Sequence, residues 1–271
     1  MLSEEYKDQL LRLGIEDPED FLKKSPGTTF YFGGRRPHPS IPMSDGKRVV
    51  FRSYSHGGLF RPFTRNRYLF GSRSFRELTL TEEIRSCGIP TIQPLGAIHR
   101  FVFLRFYKAY FLSLEIPHAM DLVQFFQKTG PRPTFEDLSR KRRMIRFVGL
   151  LLCQFHRSGI FHGDLQLKNI LVSGEQPLLI DFDRSYRKPS LSARERAKNI
   201  FRLNRSAEKW RRLGLRVTRT DLWRFFLAYA EDDPEIQKLM RKKLRTYSIR
   251  IFVYRFGWML ERVLGGKVRS C

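Results

Sequence analysis

The sequence predicts an α+β protein built from two unequal lobes, and three observations support that prediction. Short alternating strands dominate the first part of the chain, helical patterns dominate from residue 118 onward, and Pro117 marks the change. A chain of 271 residues with 41% hydrophobic residues can also bury a sizeable core. We therefore expect a helical extension at 1–26, a small antiparallel-sheet lobe with one main helix at 27–117, and a mostly helical lobe with a basic helical C-terminus at 118–271.

The elements of the smaller lobe are predicted from side-chain periods and turn residues. In the strand KRVVFRSY, Val50 and Arg52 share one face, while Val49 and Phe51 share the other. Around this strand we expect, in chain order, one or two short helices at 4–24, a strand at 28–34, a polar stretch with Pro37, Pro39 and Pro42, a helix at 70–88, and strands at 97–107 and 108–116 with a turn near Tyr107-Lys108.

The larger lobe shows the period of buried helices. After Asp137, apolar residues recur at the i, i+4, i+7, i+8 spacing of one helix face, and Gly159 ends that helix. The segments NILV and PLLIDFD then form two short strands around the turn Ser173-Gly174. Three basic helices are expected after this hairpin, at 192–212, 220–231 and 235–263.

The charge is the unusual feature of the composition. The chain has 51 Lys and Arg against 27 Asp and Glu, a formal net charge of +24, which indicates a polyanionic partner such as nucleic acid or a phosphate-bearing membrane surface. Three cysteines without metal-ligand spacing favour a reducing compartment. The N-terminus has no signal-peptide pattern, and the longest apolar run is far shorter than the roughly 20 residues of a membrane span. We therefore expect a soluble, cytoplasmic protein whose membrane contact is peripheral.

One stretch concentrates acidic and amide side chains in this basic chain. In FHGDLQLKNILVSGEQPLLIDFD, residues 161–183, Asp164 follows a helix, Asn169 comes five residues later, and Asp181 follows an apolar strand. This order can bring three side-chain oxygens to one point, and Mg²⁺ prefers carboxylate, amide and phosphate oxygens. In phosphoryl transfer one Asp accepts or orients the attacking hydroxyl, while an Asn and a second Asp hold the metal. Taken singly, Asp164 or Asn169 is also typical of an ordinary loop turn.

The same stretch resembles the protein-kinase-like superfamily. HGDLQLKN stands where these enzymes carry H-R-D-L-x-x-x-N, and DFD stands where they carry D-F-G. The resemblance implies a bilobal protein-kinase-like fold that uses ATP and Mg²⁺. It also implies Asp164 as the catalytic residue, with Asn169 and Asp181 as metal ligands. His162 would be a structural residue that shapes the loop.

Two positions depart from the protein-kinase pattern. Gly163 replaces the Arg that reads an activation-loop phosphate, and Asp183 replaces the Gly of D-F-G. Both departures are usual in the small-molecule kinases of this superfamily rather than in protein kinases, so we do not expect control by activation-loop phosphorylation. Asp183 is a further, weaker candidate for contact with a second Mg²⁺.

The smaller lobe offers a cation for the nucleotide phosphates. VVFR, residues 49–52, resembles V-A-I-K with Arg in place of Lys. The resemblance implies that Arg52 reaches the phosphates, that Val50 lines the adenine pocket, and that Arg52 forms an ion pair with Glu77 of the main helix. The planar guanidinium fork differs from the point charge of Lys, so the phosphate contact differs as well. The alternative for Arg52 is a solvent-facing strand residue.

Backbone groups are expected to complete the nucleotide site. Gly33 and Gly34 are candidates for a phosphate-covering hairpin, because glycine lets backbone N–H groups approach an anion. An ordinary turn explains the glycine pair equally well. Leu114 to Pro117 would form the hinge whose backbone groups meet adenine.

Two longer segments resemble the bacterial lipopolysaccharide core kinases, and the 3-deoxy-D-manno-octulosonic acid (Kdo) kinases in particular. Residues 52–78 are similar to that family's strand–R-x-Y-x-x-G-G-L–basic linker–D/N-R-Y–helix pattern, and NIFRLNRS at 199–206 is similar to its N-x-x-R-L-x-R-S helix. The family has Arg on the strand, so Arg52 becomes a shared trait. The resemblance implies transfer of the ATP γ-phosphate to O-4 of a Kdo residue on a lipid A precursor, at the cytoplasmic face of the bacterial inner membrane.

The basic surface agrees with an anionic glycolipid acceptor. Arg61, Arg65, Arg67 and Arg73 are candidates for contact with the sugar carboxylate or lipid phosphates, although each is otherwise a solvated residue or the partner of a nearby acid. The segment IRIFVYRFGWMLERVL interleaves arginines with aromatic residues, which is typical of a helix that lies on an anionic bilayer. The alternative is that its aromatic residues belong to the core of the larger lobe.

Three rival functions remain on sequence grounds. A heptose kinase of the same lipopolysaccharide core is the first, and an atypical protein kinase, disfavoured by Gly163, is the second. The third is a catalytically inactive, kinase-shaped protein that binds membrane or RNA, since the net charge is compatible with nucleic acid. Retention of every metal-site residue argues against inactivity, and no aromatic RNA-binding motif is seen, so we expect no nucleic-acid partner.

Overall fold

A computed structural model describes residues 1–15, 18, 21, 29–32, 37–54, 73–103, 106–230 and 233–245. Within these residues the smaller lobe contains a five-stranded antiparallel sheet in the order β1-β2-β3-β5-β4. Its strands are β1 Thr29–Phe32, β2 Pro37–Pro42, β3 Arg48–Ser53, β4 Pro94–Phe103 and β5 Phe106–Leu114. Helix α1, Lys7–Arg12, lies against the sheet through Tyr6 and Leu10, and α2, Arg73–Ser86, packs on β4 and β5.

Strand β3 separates the two faces of the sheet as its alternation predicts. Val49 and Phe51 are fully buried in a cluster with Leu10 of α1, whereas Val50 and Arg52 are only partly buried. The two faces of the sheet therefore have different neighbours. One face packs on α1, and the face that carries Arg52 is directed towards α2 and the larger lobe.

Two details of the smaller lobe differ from the sequence prediction. The proline-rich stretch is strand β2, paired with both β1 and β3, because its prolines at 37 and 39 alternate with residues that keep a backbone N–H. The reversal between the last two strands falls between Phe103 and Phe106, so that Tyr107 and Lys108 lie inside β5 rather than in a turn. The only local signal for a turn was the polar dipeptide Tyr107-Lys108, and the pairing of both residues with β4 outweighs that signal.

The larger lobe is helical around one short hairpin. Within the described residues its elements are β6 Met120–Asp121, α3 Leu122–Lys128, α4 Phe135–Arg157, β7 Ile160–Phe161, a 3₁₀ turn Leu167–Asn169, β8 Ile170–Ser173, β9 Gln176–Leu179, β10 Tyr186–Arg187, α5 Ala193–Arg212, α6 Arg219–Ala230 and α7 Pro234–Arg245. Strands β6, β8 and β9 pair antiparallel, and β7 pairs with β10.

The long helix α4 organises the core of this lobe. Its apolar face, predicted from the helical period, is buried as Met144, Ile145, Val148, Leu151, Leu152 and Phe155. Thr134 and Asp137 form a reciprocal capping box at its start, which satisfies two of the backbone N–H groups left open by the first turn. Gly159, with φ of +75°, follows its end and turns the chain towards the strand that carries the functional loop.

Candidate active site

The loop after β7 is fixed by a buried histidine. His162 is fully buried; its Nδ1 accepts from the Asp164 backbone N–H at 3.1 Å, and its Nε2 lies 3.0 Å from the Ile180 carbonyl. Because Nδ1 is the acceptor, Nε2 carries the proton and donates to Ile180. Burial lowers the pKa of His162, against the opposing effect of the Asp181 charge, so the ring works as a neutral bridge between two loops.

The same loop holds Asp164 and Asn169 in a defined arrangement. Asn169 Nδ2 donates to the Asp164 carbonyl at 2.8 Å, which closes the loop across five residues. The Asp164 carboxylate projects outward, with 53% of its side chain exposed, and accepts from Gln166 Nε2 at 3.1 Å. Asp164 is therefore the accessible acid of the site, and Asn169 is nearly buried behind it.

The hairpin β8–β9 brings the third residue to the same place. The Asn169 carbonyl accepts from the Ile180 backbone N–H at 3.1 Å, so residue 169 lies opposite residue 180 and beside Asp181. Asp181 has φ of +66°, a left-handed conformation that is sparse for residues other than glycine and that Asp tolerates better than most. Such conformations cluster at functional sites, where surrounding contacts hold them.

Arg52 links the smaller lobe to this loop. Its guanidinium forms ion pairs with Glu77 of α2 and with Asp181, the latter at 2.5 Å. Glu77 also accepts from the Tyr54 hydroxyl and from the Phe182 backbone N–H, the second at 3.1 Å. The ion pair anticipated between Arg52 and Glu77 is thus one part of a larger network that joins three segments of the chain.

The electrostatics of the network follow from burial and charge pairing. Burial raises the pKa of Glu77, although Arg52 opposes that effect. Burial would also raise the pKa of Asp181, but the Arg52 guanidinium and smaller contributions, among them the Asp183 backbone N–H, together outweigh burial and lower that pKa. Asp181 therefore stays ionised at neutral pH, which is the form that binds a cation.

A second ion pair connects α2 to the same loop. Arg73, the first residue of α2, donates from Nε to Asp183 Oδ1 at 3.0 Å, and its Nη2 contacts the other carboxylate oxygen. For Arg73 the structure therefore shows pairing with a nearby acid, which was the alternative to direct contact with the acceptor. The Asp183 carboxylate, a weaker candidate for a second Mg²⁺, is engaged by this arginine.

Gly163 is required by a close approach of two backbones. A Cβ at this position would lie 2.5 Å from the Asp183 carbonyl oxygen and 2.6 Å from the Arg184 carbonyl carbon. Its N–H donates to Ser185 Oγ at 2.9 Å. The place where protein kinases carry an arginine side chain therefore has no room for any side chain here.

The remaining predicted residues are spread more widely. Val50 lies on β3 opposite Ser113 of β5, on the Arg52 face of the strand. Leu114 ends β5, so the predicted hinge at residues 114–117 lies between that strand and β6. Gly33 and Gly34 lie outside the described residues, as do Arg61, Arg65 and Arg67.

Several residues of the network were not singled out by sequence reasoning. Tyr54 stands in the R-x-Y pattern quoted above, so its position was available, but its bond to Glu77 depends on how α2 packs. Asn199 was likewise present in the basic helix motif; its side chain bonds both the N–H and the carbonyl of His162, at 3.2 and 2.8 Å. In both cases the sequence signal that could have identified the residue is that it is a polar position of a recognised motif to which no role had been assigned.

The donor set is compatible with a magnesium ion held partly by phosphates. Among the residues that the structure describes, no three His, Cys, Asp or Glu side chains gather closely enough to hold a metal ion. The backbone of Asn169 nevertheless bonds Ile180, the neighbour of Asp181, and the amide nitrogen of Asn169 is turned to the Asp164 carbonyl, which leaves the amide oxygen as a donor for a metal. Mg²⁺ is commonly bound by one or two such groups together with substrate phosphates and water.

The residues of this site lie in a region of the chain that matches a known protein family. A profile of the lipopolysaccharide kinase (Kdo/WaaP) family matches residues 34–229, which is well over half of the chain. The chain belongs to this family. The matched region includes Arg52, Glu77 and the loop that carries Asp164, Asn169 and Asp181. In this Kdo/WaaP family member, the network of ion pairs therefore lies within the residues that the family profile matches.

Named relatives of this Kdo/WaaP family member are about a third identical to it over the aligned residues. The 3-deoxy-D-manno-octulosonic acid kinase of Vibrio vulnificus (strain YJ016) is 33% identical over 168 residues, which cover 60% of this chain and 66% of that protein. The 3-deoxy-D-manno-octulosonic acid kinase of Actinobacillus succinogenes is 33% identical over 191 residues, which cover 67% of this chain and 75% of that protein. The chain thus spans just under two thirds of the length of the first relative.

A solved structure shows the same architecture. The structure described as "WaaP in complex with acyl carrier protein" has a TM-score of 0.56 and 20% sequence identity, with 90% of this chain and 96% of that chain covered. At this identity the likeness concerns the fold. It confirms the α+β, two-lobed, kinase-like fold expected from the sequence.

Proposed function

We propose that this family member is an ATP-dependent Kdo kinase that phosphorylates O-4 of a Kdo residue on a lipid A precursor. The proposal rests on one observation above all: Asp164, Asn169, Asp181 and Arg52 lie together between two lobes of a kinase-like fold. The relatives named as 3-deoxy-D-manno-octulosonic acid kinases support the choice of acceptor. The net charge of +24 suits an acceptor that carries carboxylate and phosphate groups.

The roles of the residues follow from their exposure and contacts. Asp164 is the exposed carboxylate, so it accepts the proton of the acceptor hydroxyl as that oxygen forms a bond to the γ-phosphorus. The bond between the γ-phosphorus and the bridging oxygen breaks at the same time, and ADP leaves with the electron pair. Arg52, held by Glu77, faces the phosphates as a fixed positive charge. Val50 contacts the base on the same strand face, and Gly33 and Gly34 are proposed to cover the phosphates.

Mg²⁺ fits the two oxygen donors offered by the side chains of Asn169 and Asp181. Asn169 and Asp181 would hold it, and when bound it neutralises charge on the phosphates. Asp181 is ion-paired with Arg52, which helps to keep its pKa low and its carboxylate ionised.

A panel of purified acceptors tests the function. The protein is incubated with radiolabelled ATP, Mg²⁺ and, separately, Kdo-lipid A, heptosylated core lipopolysaccharide and a generic protein substrate. We expect label on Kdo-lipid A at a rate at least tenfold above the other two acceptors, with the position on the sugar read from product fragmentation. Label on heptose would instead make the protein a heptose kinase. Absence of label on every acceptor would support an inactive, kinase-shaped binding protein.

We also propose that the protein works at the cytoplasmic face of the inner membrane as a peripheral protein. None of the described helices is long and apolar enough to cross a bilayer. In α7, Ile236 and Met240 are buried in the core of the larger lobe, while Lys238, Arg241 and Lys242 are exposed. The described part of the basic C-terminal region therefore has its apolar side in the core, and its cations supply the membrane contact. Residues 246–271 lie outside the described residues.

This arrangement changes how membrane binding is tested. Deleting residues 235–271 would remove Ile236 and Met240 from the core, so charge neutralisation is the cleaner experiment. Replacing the three exposed cations Lys238, Arg241 and Lys242 by Gln should weaken sedimentation with anionic liposomes about 100-fold, since each basic residue near such a surface contributes about 1 kcal/mol. The matched control replaces three exposed arginines of α4, Arg140, Arg142 and Arg146. Equal loss in both variants would refute a specific role for α7.

A further inference from the structure

One face of α5 is hydrogen-bonded to the backbone of the loop that carries Asp164. Asn199, Arg202 and Ser206 follow one another at about one helical turn and so share a face of the helix. Asn199 bonds both backbone groups of His162, Arg202 Nη1 donates to the Gly163 carbonyl, and Ser206 Oγ accepts from the Leu167 N–H at 3.2 Å. The basic helix motif of the sequence therefore faces the loop that carries Asp164.

Arg202 differs from its two neighbours because it also reaches the reactive carboxylate. Its Nε lies 3.8 Å from Asp164 Oδ1, which is close enough for charge attraction but too long for a hydrogen bond. About 38% of the Arg202 side chain is exposed, beside an Asp164 side chain that is 53% exposed. An arginine presents five N–H donors, and the Gly163 carbonyl accepts one of them. Arg202 therefore keeps further N–H donors beyond the one that Gly163 accepts, on a side chain that is partly exposed.

Arg202 has different contacts from Arg52, the arginine proposed to bind the nucleotide phosphates. Arg52 comes from the smaller lobe and contacts Asp181 and Glu77. Arg202 comes from the larger lobe and contacts the loop at Gly163 and Asp164. The site therefore has one guanidinium beside the metal-binding loop and a second beside the carboxylate that receives the acceptor hydroxyl.

We propose that Arg202 binds the carboxylate of the acceptor sugar and thereby presents its hydroxyl to Asp164. The inference rests on the proposed function, because it requires an acidic sugar as acceptor. A guanidinium pairs with a carboxylate through two parallel hydrogen bonds, which fixes orientation as well as position. The bond to Gly163 holds the guanidinium in place before the acceptor arrives, so little side-chain freedom is lost on binding. Arg202 is thus a specificity-determining residue for acidic sugars.

Two acceptors and two variants test this role. The native acceptor is compared with the same Kdo-lipid A whose Kdo carboxyl group is converted to a neutral methyl amide. For the native acceptor, Arg202→Gln should raise KM about 10- to 100-fold, the usual range for losing one charge-assisted pair, while KM for ATP stays unchanged because the proposed nucleotide cation is Arg52. Arg202→Lys should recover only part of the loss, since an ammonium lacks the planar fork.

The methyl amide distinguishes acceptor binding from loop support. The wild-type protein should lose affinity for the amide about as much as Arg202→Gln loses for the native acid, and Arg202→Gln should treat both acceptors alike. If Arg202→Gln lost the same factor on the amide as on the acid, Arg202 would only support the loop and the inference would fall. Arg194→Gln, at an exposed arginine in the first turn of the same helix, should behave as wild type.

The two proposals fail separately in this design. A wild-type protein that phosphorylates neither Kdo acceptor overturns the proposed function and the inference with it. A wild-type protein that phosphorylates both acceptors with equal KM leaves the Kdo kinase function standing and overturns the role of Arg202 alone.

Discussion

Replacing Asp164 by Asn should lower the rate of phosphoryl transfer to Kdo-lipid A about 1000-fold, because Asn has the same shape but does not accept the hydroxyl proton. ATP affinity should stay within about twofold of wild type, since the residues proposed to contact the nucleotide and its metal are Arg52, Asn169 and Asp181. The midpoint of thermal unfolding should change little, because the Asp164 side chain is half exposed and the loop is held through its backbone. Steady-state kinetics and ATP-binding calorimetry measure the two effects.

The control for this substitution is Asp8→Asn, at an exposed residue of α1. It changes the net charge by the same amount and should leave transfer unchanged. An Asp164→Asn protein that kept more than a tenth of the wild-type rate would remove Asp164 from the catalytic role. Transfer lost together with ATP binding would mean that the substitution had disturbed the site as a whole.

The second large effect is expected at Arg52. Arg52→Met should destabilise the protein by about 3 kcal/mol, because Glu77 is almost completely buried and would lose its charge partner. The same change removes the cation proposed to bind the phosphates, so transfer should fall by at least 100-fold. Chemical denaturation and transfer kinetics report the two losses independently.

A double variant separates stability from catalysis at this pair. Arg52→Met with Glu77→Gln replaces the buried ion pair by neutral groups, so most of the lost stability should return while activity stays low. Arg85→Ala removes an exposed cation from the same helix as Glu77, paired with Glu82 at the surface, and should cost less than about 0.5 kcal/mol. If the double variant were as unstable as Arg52→Met alone, an uncompensated Glu77 charge would not be the cause.

The sequence predicted the parts of this site that are local in the chain. Asp164, Asn169 and Asp181 lie within one short stretch, and the order of loop, strand and strand is enough to bring them together. The strand face of Arg52 likewise follows from a period of two. What the sequence left open depends on packing between distant segments. Arg73 meets Asp183 across 110 residues of chain, and Arg202 meets Gly163 across 39.

Local rules also failed where pairing partners decided the structure. The prolines of β2 argue against a strand, yet two neighbouring strands hold that segment in the sheet. The Gly163 substitution was visible in the sequence as a missing arginine, but its cause, contact with the backbone at residues 183 and 184, requires the folded chain. Motif comparison finds which residue has changed, and three-dimensional packing explains why the change is needed.

The helix α2 is anchored at two points, through Glu77 to Arg52 and Phe182 and through Arg73 to Asp183. Swinging this helix outward, the movement by which many regulated kinases shut down, would strip charged groups of their partners at both points at once. A site held at two points in this way stays assembled in the absence of any signal. For the proposed kinase, output would then be set by how fast glycolipid reaches it, and a cell that needs less product would have to make less substrate or less enzyme.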